Sequence, residues 1–234
     1  MLRSLYAMLD YHIAATDGEV GKVRDFLFDD KSWIVHYLVA EIPNALGNRK
    51  VLILPFVADR PEWETRRLPV LLTCEQIRAS APLEADMPVA LQRESGLKRP
   101  GSHLRSMQEL LGYSVYTTDG EVGIVEDFII EDTLWGVHRA VIALKQPVLR
   151  SVLLSPESIR SISWSGKAVW VNHSLQELEM NPDFDPEAAV NKDESGLYDY
   201  HGRPRTSRWG ARSRDVDPLF NPSRSAVRKM RNFH

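Results

Sequence analysis

The stretch Thr16-Asp17-Gly18-Glu19-Val20-Gly21 decides the fold, because the chain contains it twice and it returns as Thr118-Asp119-Gly120-Glu121-Val122-Gly123. An Asp-Gly pair between apolar runs is a strong signal for a β-hairpin, since a type I′ turn needs positive φ at both central positions. Aspartate tolerates that conformation and glycine adopts it freely. The sequence therefore predicts two copies of one β-unit.

The repeat extends far beyond this stretch. Residues 3–40 align with residues 105–142 without a gap, and eighteen of the thirty-eight positions are identical. After the loss of one residue, the match resumes with Val51-Leu52 opposite Val152-Leu153. A repeat of about 80 residues is too long for a solenoid unit, so each copy is expected to fold as a domain. The predicted organisation is a first domain at 1–80, a linker at 81–102, a second domain at 103–181 and a tail at 182–234 that is rich in Pro, Arg and aromatic residues and is extended or partly disordered.

Short strands and tight turns dominate each copy. The strand after the first Asp-Gly turn breaks its alternation between Val23 and Phe26, which predicts a β-bulge at Arg24-Asp25. The next strand alternates without a break and is expected to place Trp33, Val35 and Val39 on one face. The residues assigned to structural turns and bulges are Asp17, Gly18, Gly21, Asp25, Asp119, Gly120, Gly123 and Asp127.

This pattern favours an all-β fold of two tandem small antiparallel β-barrels. Short flanking helices are predicted where a Ser or Thr stands three residues before Glu or Gln, at residues 73–76, 106–109 and 174–177. Both faces of the third strand are largely apolar, which is expected when the outside of a curved sheet also packs against other parts of the protein.

The charge is distributed unevenly along the chain. The formal net charge is −3, but the residues from His201 onward carry about +7 and the rest about −10. Such asymmetry is compatible with a basic tail that meets an acidic partner. The one cysteine, Cys74, fits a reducing compartment, and no apolar run reaches the length of a transmembrane helix. The expected localisation is cytoplasmic, with a peripheral association with a membrane complex as the alternative.

Several recurring polar residues could suggest catalysis or metal binding. His36 and His138 recur, but zinc needs three or four converging ligands, so both are interpreted as structural residues or as a pH-sensitive contact between the copies. Asp25 and Asp127 could be paired carboxylates for acid–base chemistry, yet an Asp at a bulge more often accepts from the N–H groups that the bulge leaves free. The acidic turns Asp29-Asp30 and Glu131-Asp132 are interpreted as solvated turns rather than Ca²⁺ sites.

Motifs of common enzyme classes are missing from the sequence. Cys74 is expected at a helix N-terminus, but no companion base accompanies it, so it is interpreted as a small packed residue. The sequence contains no phosphate-binding loop, no Gly-x-Ser-x-Gly elbow and no His-Glu-x-x-His motif. We therefore predict no catalytic, cofactor-binding or metal-binding residues, and no enzymatic activity.

The spacing of the second copy resembles a known family. The residues are Tyr113-x-Val115-x-x-x-Asp119-Gly120-x-Val122-Gly123, and Val125, Asp127-Phe128, Trp135 and Trp164 follow in order. This pattern, present in both copies, resembles the PRC-barrel, a domain found in the cytoplasmic part of the photosynthetic reaction centre H subunit and in the ribosome-maturation factor. The tail, with Leu197-Tyr198-x-Tyr200-x-Gly202-Arg203-Pro204, looks like the ending of free-standing bacterial tandem PRC-barrel proteins.

Three functional hypotheses follow from the residues and the resemblance. The first is a non-enzymatic protein-binding adaptor or scaffold, because Tyr, Trp and Arg dominate the energetics of protein contacts. Its candidate partner-binding residues are Tyr198, Tyr200, Arg203, Trp209 and Trp170. The second is an RNA- or ribosome-associated factor that uses the basic tail. The third is docking at the cytoplasmic face of a membrane complex of the photosynthetic type. The identity of the partner, and whether the protein forms a homodimer, stay open at this point.

Overall fold

A computed structural model describes residues 2–45, 47–94, 104–145, 150–181 and 184. The first repeat contains β1 (Leu2–Ser4), α1 (Leu5–Met8), β2 (His12–Ala15), β3 (Gly18–Asp29), β4 (Val35–Asn44), β5 (Gly47–Ile53), a 3₁₀ helix (Pro55–Val57), β6 (Arg67–Pro69) and α2 (Cys74–Ala79). A second 3₁₀ helix (Leu83–Asp86) and α3 (Val89–Glu94) follow. The second repeat contains β7 (Leu104–Ser106), α4 (Met107–Leu110), β8 (Ser114–Thr117), β9 (Gly120–Glu131), β10 (Gly136–Leu144), β11 (Ser151–Leu154), a 3₁₀ helix (Pro156–Ser158), β12 (Ile159–Ser163), β13 (Ala168–Val171) and α5 (Leu175–Glu179).

The strands form two sheets, one for each repeat. The strand order is β5-β4-β3-β2-β6 in the first and β11-β10-β9-β8-β13-β12 in the second. The all-β class predicted from the sequence is confirmed, and the helices are short. One pair in each sheet is parallel, β2 with β6 and β8 with β13, where the hairpin pattern indicated antiparallel pairing throughout. The reason is that four reversals of the chain separate β2 from β6 and also β8 from β13, because β11 and β12 are joined through a 3₁₀ helix without a reversal, so the two strands of each pair run in the same direction.

The repeats exchange their first strands. Strand β1 pairs with β9 of the second repeat, with Ser4 opposite Ile129, and β7 pairs with β3 of the first repeat, with Ser106 opposite Leu27. Between these two pairings, the backbones of the two repeats are also hydrogen-bonded to each other. The Val35 N–H donates to the Trp135 carbonyl at 2.8 Å. The same reciprocal geometry links Val137 to Trp33. The predicted boundaries at residues 80 and 103 stay predictions.

The inner faces of both sheets share one continuous apolar core. Contacts between aromatic rings connect the part of this core in one repeat to the part in the other. Trp135 stacks on Phe26 of the first repeat, with centroids 6.3 Å apart. Trp33 stacks on its own Phe28 at 5.1 Å and contacts Phe128 of the second repeat at 6.4 Å. Both tryptophans have positive φ, near 55°, a backbone conformation that bulky residues rarely adopt unless the surrounding packing holds it.

A bulge in β4 changes which residues share a face. Val35 lies in the shared core, whereas Val39 lies on the outer face with Leu27. The expectation that Val35 and Val39 share one face is therefore wrong. The pairing explains it, because Phe28 is opposite Val35 and Leu27 is opposite Tyr37, which leaves His36 as an extra residue that inverts the alternation. In β10 the extra residue is His138.

The outer faces of the sheets are covered by segments outside the barrels. Leu83 packs over Val39 on the first sheet, beside Leu104 of the exchanged strand β7. On the second sheet, Phe184 packs over Ile129, Val141 and Leu153. Both faces of the central strands are consequently buried. Within the described ranges, no helix combines the length and apolar character that crossing a bilayer requires.

Candidate functional site

Two aspartates, Asp25 and Asp127, accept hydrogen bonds across the junction between the repeats. We call these two residues and their hydrogen-bond donors the clasp. Asp127 accepts hydrogen bonds from the Ser4 hydroxyl, from the Tyr6 N–H at 2.9 Å and from the Phe128 N–H at 2.6 Å. Ser4 in turn caps α1 by accepting from the Ala7 N–H at 2.9 Å. The second repeat therefore holds the helix of the first through a buried carboxyl group.

The first repeat returns the same contacts. Asp25 accepts from the Ser106 hydroxyl at 2.5 Å, from the Gln108 N–H at 3.1 Å and from the Phe26 N–H at 2.7 Å. Ser106 caps α4 by accepting from the Glu109 N–H at 2.9 Å. The sequence pattern suggested that Asp25 and Asp127 serve the bulges of their own strands. The ladder does shift register beside each of them, but most of their donors belong to the other repeat.

Ion pairs reinforce the clasp. Arg3 pairs with Asp132 at 3.1 Å, and Arg105 pairs with Asp30 at 2.6 Å, with all four side chains largely buried. The interpretation of these acidic turns as solvated is therefore wrong, because the arginine of the opposite repeat covers each of them. The Arg105 guanidinium also lies over the Trp164 ring, 4.3 Å from its centroid.

Both clasping carboxyl groups line one shallow depression at the junction. Its walls are built from equivalent residues of the two repeats, for example Leu9 with Leu111 and Asp25 with Asp127. Burial raises the pKa of each of these two carboxyl groups to about 6. A raised pKa in a depression can indicate acid–base chemistry. Here each carboxyl group already accepts three hydrogen bonds, so the arrangement is that of a structural clasp.

The two recurring histidines differ in environment. His36 is exposed, whereas His138 is partly buried. Burial and the neighbouring Arg139 lower the pKa of His138 to about 4, so its imidazole is neutral near pH 7. Burial and the Asp17 carboxylate raise the pKa of the Cys74 thiol, which makes the thiolate form scarce. Within the part of the chain that the structure describes, no group of three or more His, Cys, Asp or Glu side chains could hold a metal ion.

The aspartates of the repeated turns contact helices. Asp17 accepts from the Cys74 N–H at 2.6 Å, and Asp119 accepts from the Leu175 N–H at 2.7 Å, so each turn is tied to the first turn of α2 or α5. Among the turn positions Gly18 and Gly120 have positive φ but the aspartates do not, so the type I′ geometry expected from the sequence is not adopted.

The repeated Gly21 and Gly123 allow strands to approach closely. A Cβ atom would lie 2.3 Å from the Glu41 carbonyl oxygen at the first position and 2.2 Å from the Ala143 carbonyl oxygen at the second. Only glycine fits at such a distance, because real Cβ atoms do not approach backbone oxygens so closely.

An aromatic pair is partly exposed on the outer face of the second sheet. Tyr116 of β8 and Trp170 of β13 are opposite each other in the ladder, and their rings stack at 5.5 Å with an interplanar angle of 20°. Ile124 of β9, opposite Ser114, is 37% exposed, as is Trp170. The Glu121 carboxylate borders Tyr116 and binds Lys145. We call Tyr116, Ile124 and Trp170 the aromatic face.

The first repeat has no such face at the same place. Its β2–β6 pair has the register of the β8–β13 pair, so Ala14 and Pro69 occupy the positions of Tyr116 and Trp170. Lys22 occupies the position of Ile124 in the alignment of the repeats. The duplication has therefore kept the clasp and changed this surface.

The first repeat exposes a different apolar surface. Leu54, Phe56 and Leu71 are 45%, 73% and 67% exposed. They lie near one another, because the Leu71 N–H donates to the Val57 carbonyl at 2.8 Å and the Val57 N–H donates to the Leu54 carbonyl at 3.2 Å. We call these three residues the Phe56 patch. The second repeat has polar residues at the equivalent positions, namely Ser155, Glu157 and Asn172.

The predicted partner-binding residues are only partly within the described structure. Trp170 lies on the aromatic face, whereas Tyr198, Tyr200, Arg203 and Trp209 lie outside the described residues. Sequence reasoning missed the Phe56 patch. Its signal was available, because three apolar residues of one repeat align with three polar residues of the other.

Similarity to known proteins is found among solved structures. No protein-family model matches the sequence, and no curated protein is similar to it. The fold is similar to the crystal structure of a candidate 16S ribosomal RNA processing protein, RimM, from Pseudomonas aeruginosa, at 12% sequence identity and a TM-score of 0.26. The match covers 75% of this chain and 99% of that protein. At that identity and TM-score the similarity supports no inference about activity or partners.

Proposed function

We propose that the chain is a tandem PRC-barrel protein that acts as a non-enzymatic protein-binding adaptor. One observation carries the proposal, namely that the two repeats keep the residues of the clasp but differ in their exposed apolar surfaces. A rigid pair of barrels joined by exchanged strands would thus present two unlike contact sites. The sites are the aromatic face on the second repeat and the Phe56 patch on the first.

The chemistry of these surfaces supports protein binding. Trp and Tyr are enriched among the residues that dominate binding energy, and an exposed Phe 73% accessible is unusual enough to suggest a contact site. The candidate catalytic groups do not compete with this interpretation. Asp25 and Asp127 each accept three hydrogen bonds that hold the junction together, and the lowered pKa of His138 keeps its imidazole neutral near pH 7.

The duplication supplies matched variants for the test. At each surface, a residue can be replaced by the one at the equivalent position of the other repeat. The fold already accommodates that residue in the other repeat. We would capture partners from the native host with the wild-type chain, with a Tyr116→Ala/Ile124→Lys variant and with a Phe56→Glu/Leu71→Asn variant. The proposal expects each variant to lose a different set of partners. Identical partner sets for all three chains would refute the assignment of these surfaces.

A second candidate function is association with RNA or the ribosome. It is favoured by the net charge of about +7 from His201 onward. Binding through such a segment should weaken steeply with salt, because each phosphate contact releases counterions. Salt titration of RNA binding by the full chain tests this function, and no retardation of RNA at low salt would remove it. Docking at the cytoplasmic face of a membrane complex stays a prediction, which separation of host cells into soluble and membrane fractions would test.

A further inference from the structure

The aromatic face has the chemistry that binds a guanidinium group. Arginine is attracted to the ring faces of Trp and Tyr, and a neighbouring carboxylate strengthens the contact. Trp170 and Tyr116 supply the rings, and beside Tyr116 lies the Glu121 carboxylate, whose Oε1 also accepts from Lys145 and Ser114. The same chain already makes this kind of contact in its interior, where Arg105 lies over Trp164.

The chain also contains a segment of matching chemistry. Residues 203–214 include five arginines, and the residues from His201 onward have a net charge of about +7, whereas the rest of the chain has about −10. Tyr198, Tyr200 and Trp209 accompany these arginines. Electrostatic attraction therefore favours contact between this segment and the rest of the molecule.

The segment is tethered on the correct side of the second sheet. Phe184 packs on the outer face, and its N–H donates to the Ser151 carbonyl at 2.8 Å. Strand β11, which carries Ser151, is four strands from β13 in the sheet order, which corresponds to about 19 Å at the usual strand spacing. The stretch from residue 184 to residue 203 can span up to about 60 Å when extended, so it reaches the aromatic face with slack. Covalent linkage over a distance of this order gives an effective concentration on the order of millimolar.

We propose that residues 197–209 bind the aromatic face of the same chain, with the guanidinium groups of Arg203 and Arg205 against Trp170 and Glu121. In this state the segment covers one of the two contact surfaces, and a protein partner has to displace it. Only the statement that a protein partner displaces the segment rests on the proposed adaptor function. The docking itself is tested without any partner.

The test uses a spin label on the full chain. In a Cys74→Ser/Ser207→Cys variant, a nitroxide at position 207 accelerates the relaxation of nearby amide protons. We expect enhancement at Tyr116 and Val169, which adjoins Trp170, and little at Ala14 and Leu68, which occupy the positions of Tyr116 and Val169 in the first repeat and serve as the internal control. Equal enhancement on the two repeats, or none on either, would overturn the proposal.

Two further measurements identify the interaction and its source. Arg203→Ser/Arg205→Ser in the labelled chain should lower the ratio of docked to free segment about tenfold, which corresponds to the loss of one exposed cation–π contact and one exposed ion pair. A mixture of isotope-labelled chain without nitroxide and spin-labelled chain without isotope should show no enhancement. Enhancement in the mixture equal to that within one chain would identify a second copy as the occupant and overturn the proposal. If relaxation enhancement occurs within one chain but the surface variants capture the same partners as the wild type, the docking is supported and the adaptor function is refuted.

Discussion

The clasp formed by Asp127 leads to the sharpest prediction about stability. Its carboxyl group accepts hydrogen bonds from the Ser4 hydroxyl and from the N–H groups of Tyr6 and Phe128. Replacement by alanine removes all three hydrogen bonds and leaves donors at the junction without partners. Each such loss typically costs about 1 kcal/mol or more, so Asp127→Ala should lower the free energy of unfolding by about 3 kcal/mol.

Urea denaturation at about pH 5 measures this loss directly. At that pH the carboxyl group is mostly protonated, because its pKa is about 6, and the comparison is not complicated by a buried charge. Asp127→Asn keeps an acceptor for both N–H groups and should cost only about 1 kcal/mol. Asp25→Ala should match Asp127→Ala, since its contacts in the other repeat are equivalent.

An exposed aspartate provides the control for this experiment. The Asp59 carboxylate accepts from the N–H of its own neighbour, Arg60, and lies at the surface. Asp59→Ala should therefore change the free energy of unfolding by no more than about 0.5 kcal/mol. A loss below about 1 kcal/mol for Asp127→Ala, or one no larger than that of Asp59→Ala, would show that the clasp does not hold the repeats together.

The remaining predictions concern pH and close strand approach. The folded pKa of Asp25 and Asp127 is about 6 against an ordinary 3.8, so the stability these groups add is complete below pH 3.8 and is lost as the pH rises through 6. Relative to a double Asn variant, the wild-type free energy of unfolding should fall across this window by up to about 3 kcal/mol for each group, as measured by urea denaturation at several pH values. Gly123→Ala should lower the melting temperature strongly, because its Cβ would lie 2.2 Å from the Ala143 carbonyl oxygen. Gly136→Ala, with nothing within 4 Å of its Cβ, is the control, and an equal loss there would contradict the steric reasoning.

Local features of this fold were accessible from the sequence because their partners lie three or four residues away. The capping boxes at Thr73 and Ser174 were predicted and are confirmed, with side chain and backbone bonded reciprocally. At Ser106 only half of the predicted box forms. Ser106 accepts from the Glu109 N–H, but the Glu109 carboxylate accepts from the Tyr113 hydroxyl instead of reaching back. Tyr113, four residues after Glu109 and buried, has taken the place of the Ser106 N–H as the donor to this carboxylate.

Features that depend on distant partners could not be predicted in this way. The exchange of β1 and β7 leaves no local mark, because each strand is three residues long and pairs with the other repeat. The inversion at His36 was missed because both faces of β4 are largely apolar, so its alternation shows no break, whereas the break between Val23 and Phe26 did reveal the bulge at Arg24-Asp25. Of the candidate site, Trp170 was identified because it does not recur, and the same comparison of repeats identifies Phe56 once exposure is known.

The exchange of strands delays the folding of the first repeat during synthesis, because the chain emerges from the ribosome one residue at a time. Ser4 is among the first residues made, but its partner Ile129 follows about 125 residues later. At ordinary rates of synthesis this interval lasts roughly 6 to 25 seconds. During that time β1 has no strand to pair with, and the inner surface of the first barrel lacks the rings of Trp135 and Phe128. The first repeat therefore cannot complete its fold until the second repeat has been synthesised. A chaperone that shields apolar surface would act in that interval.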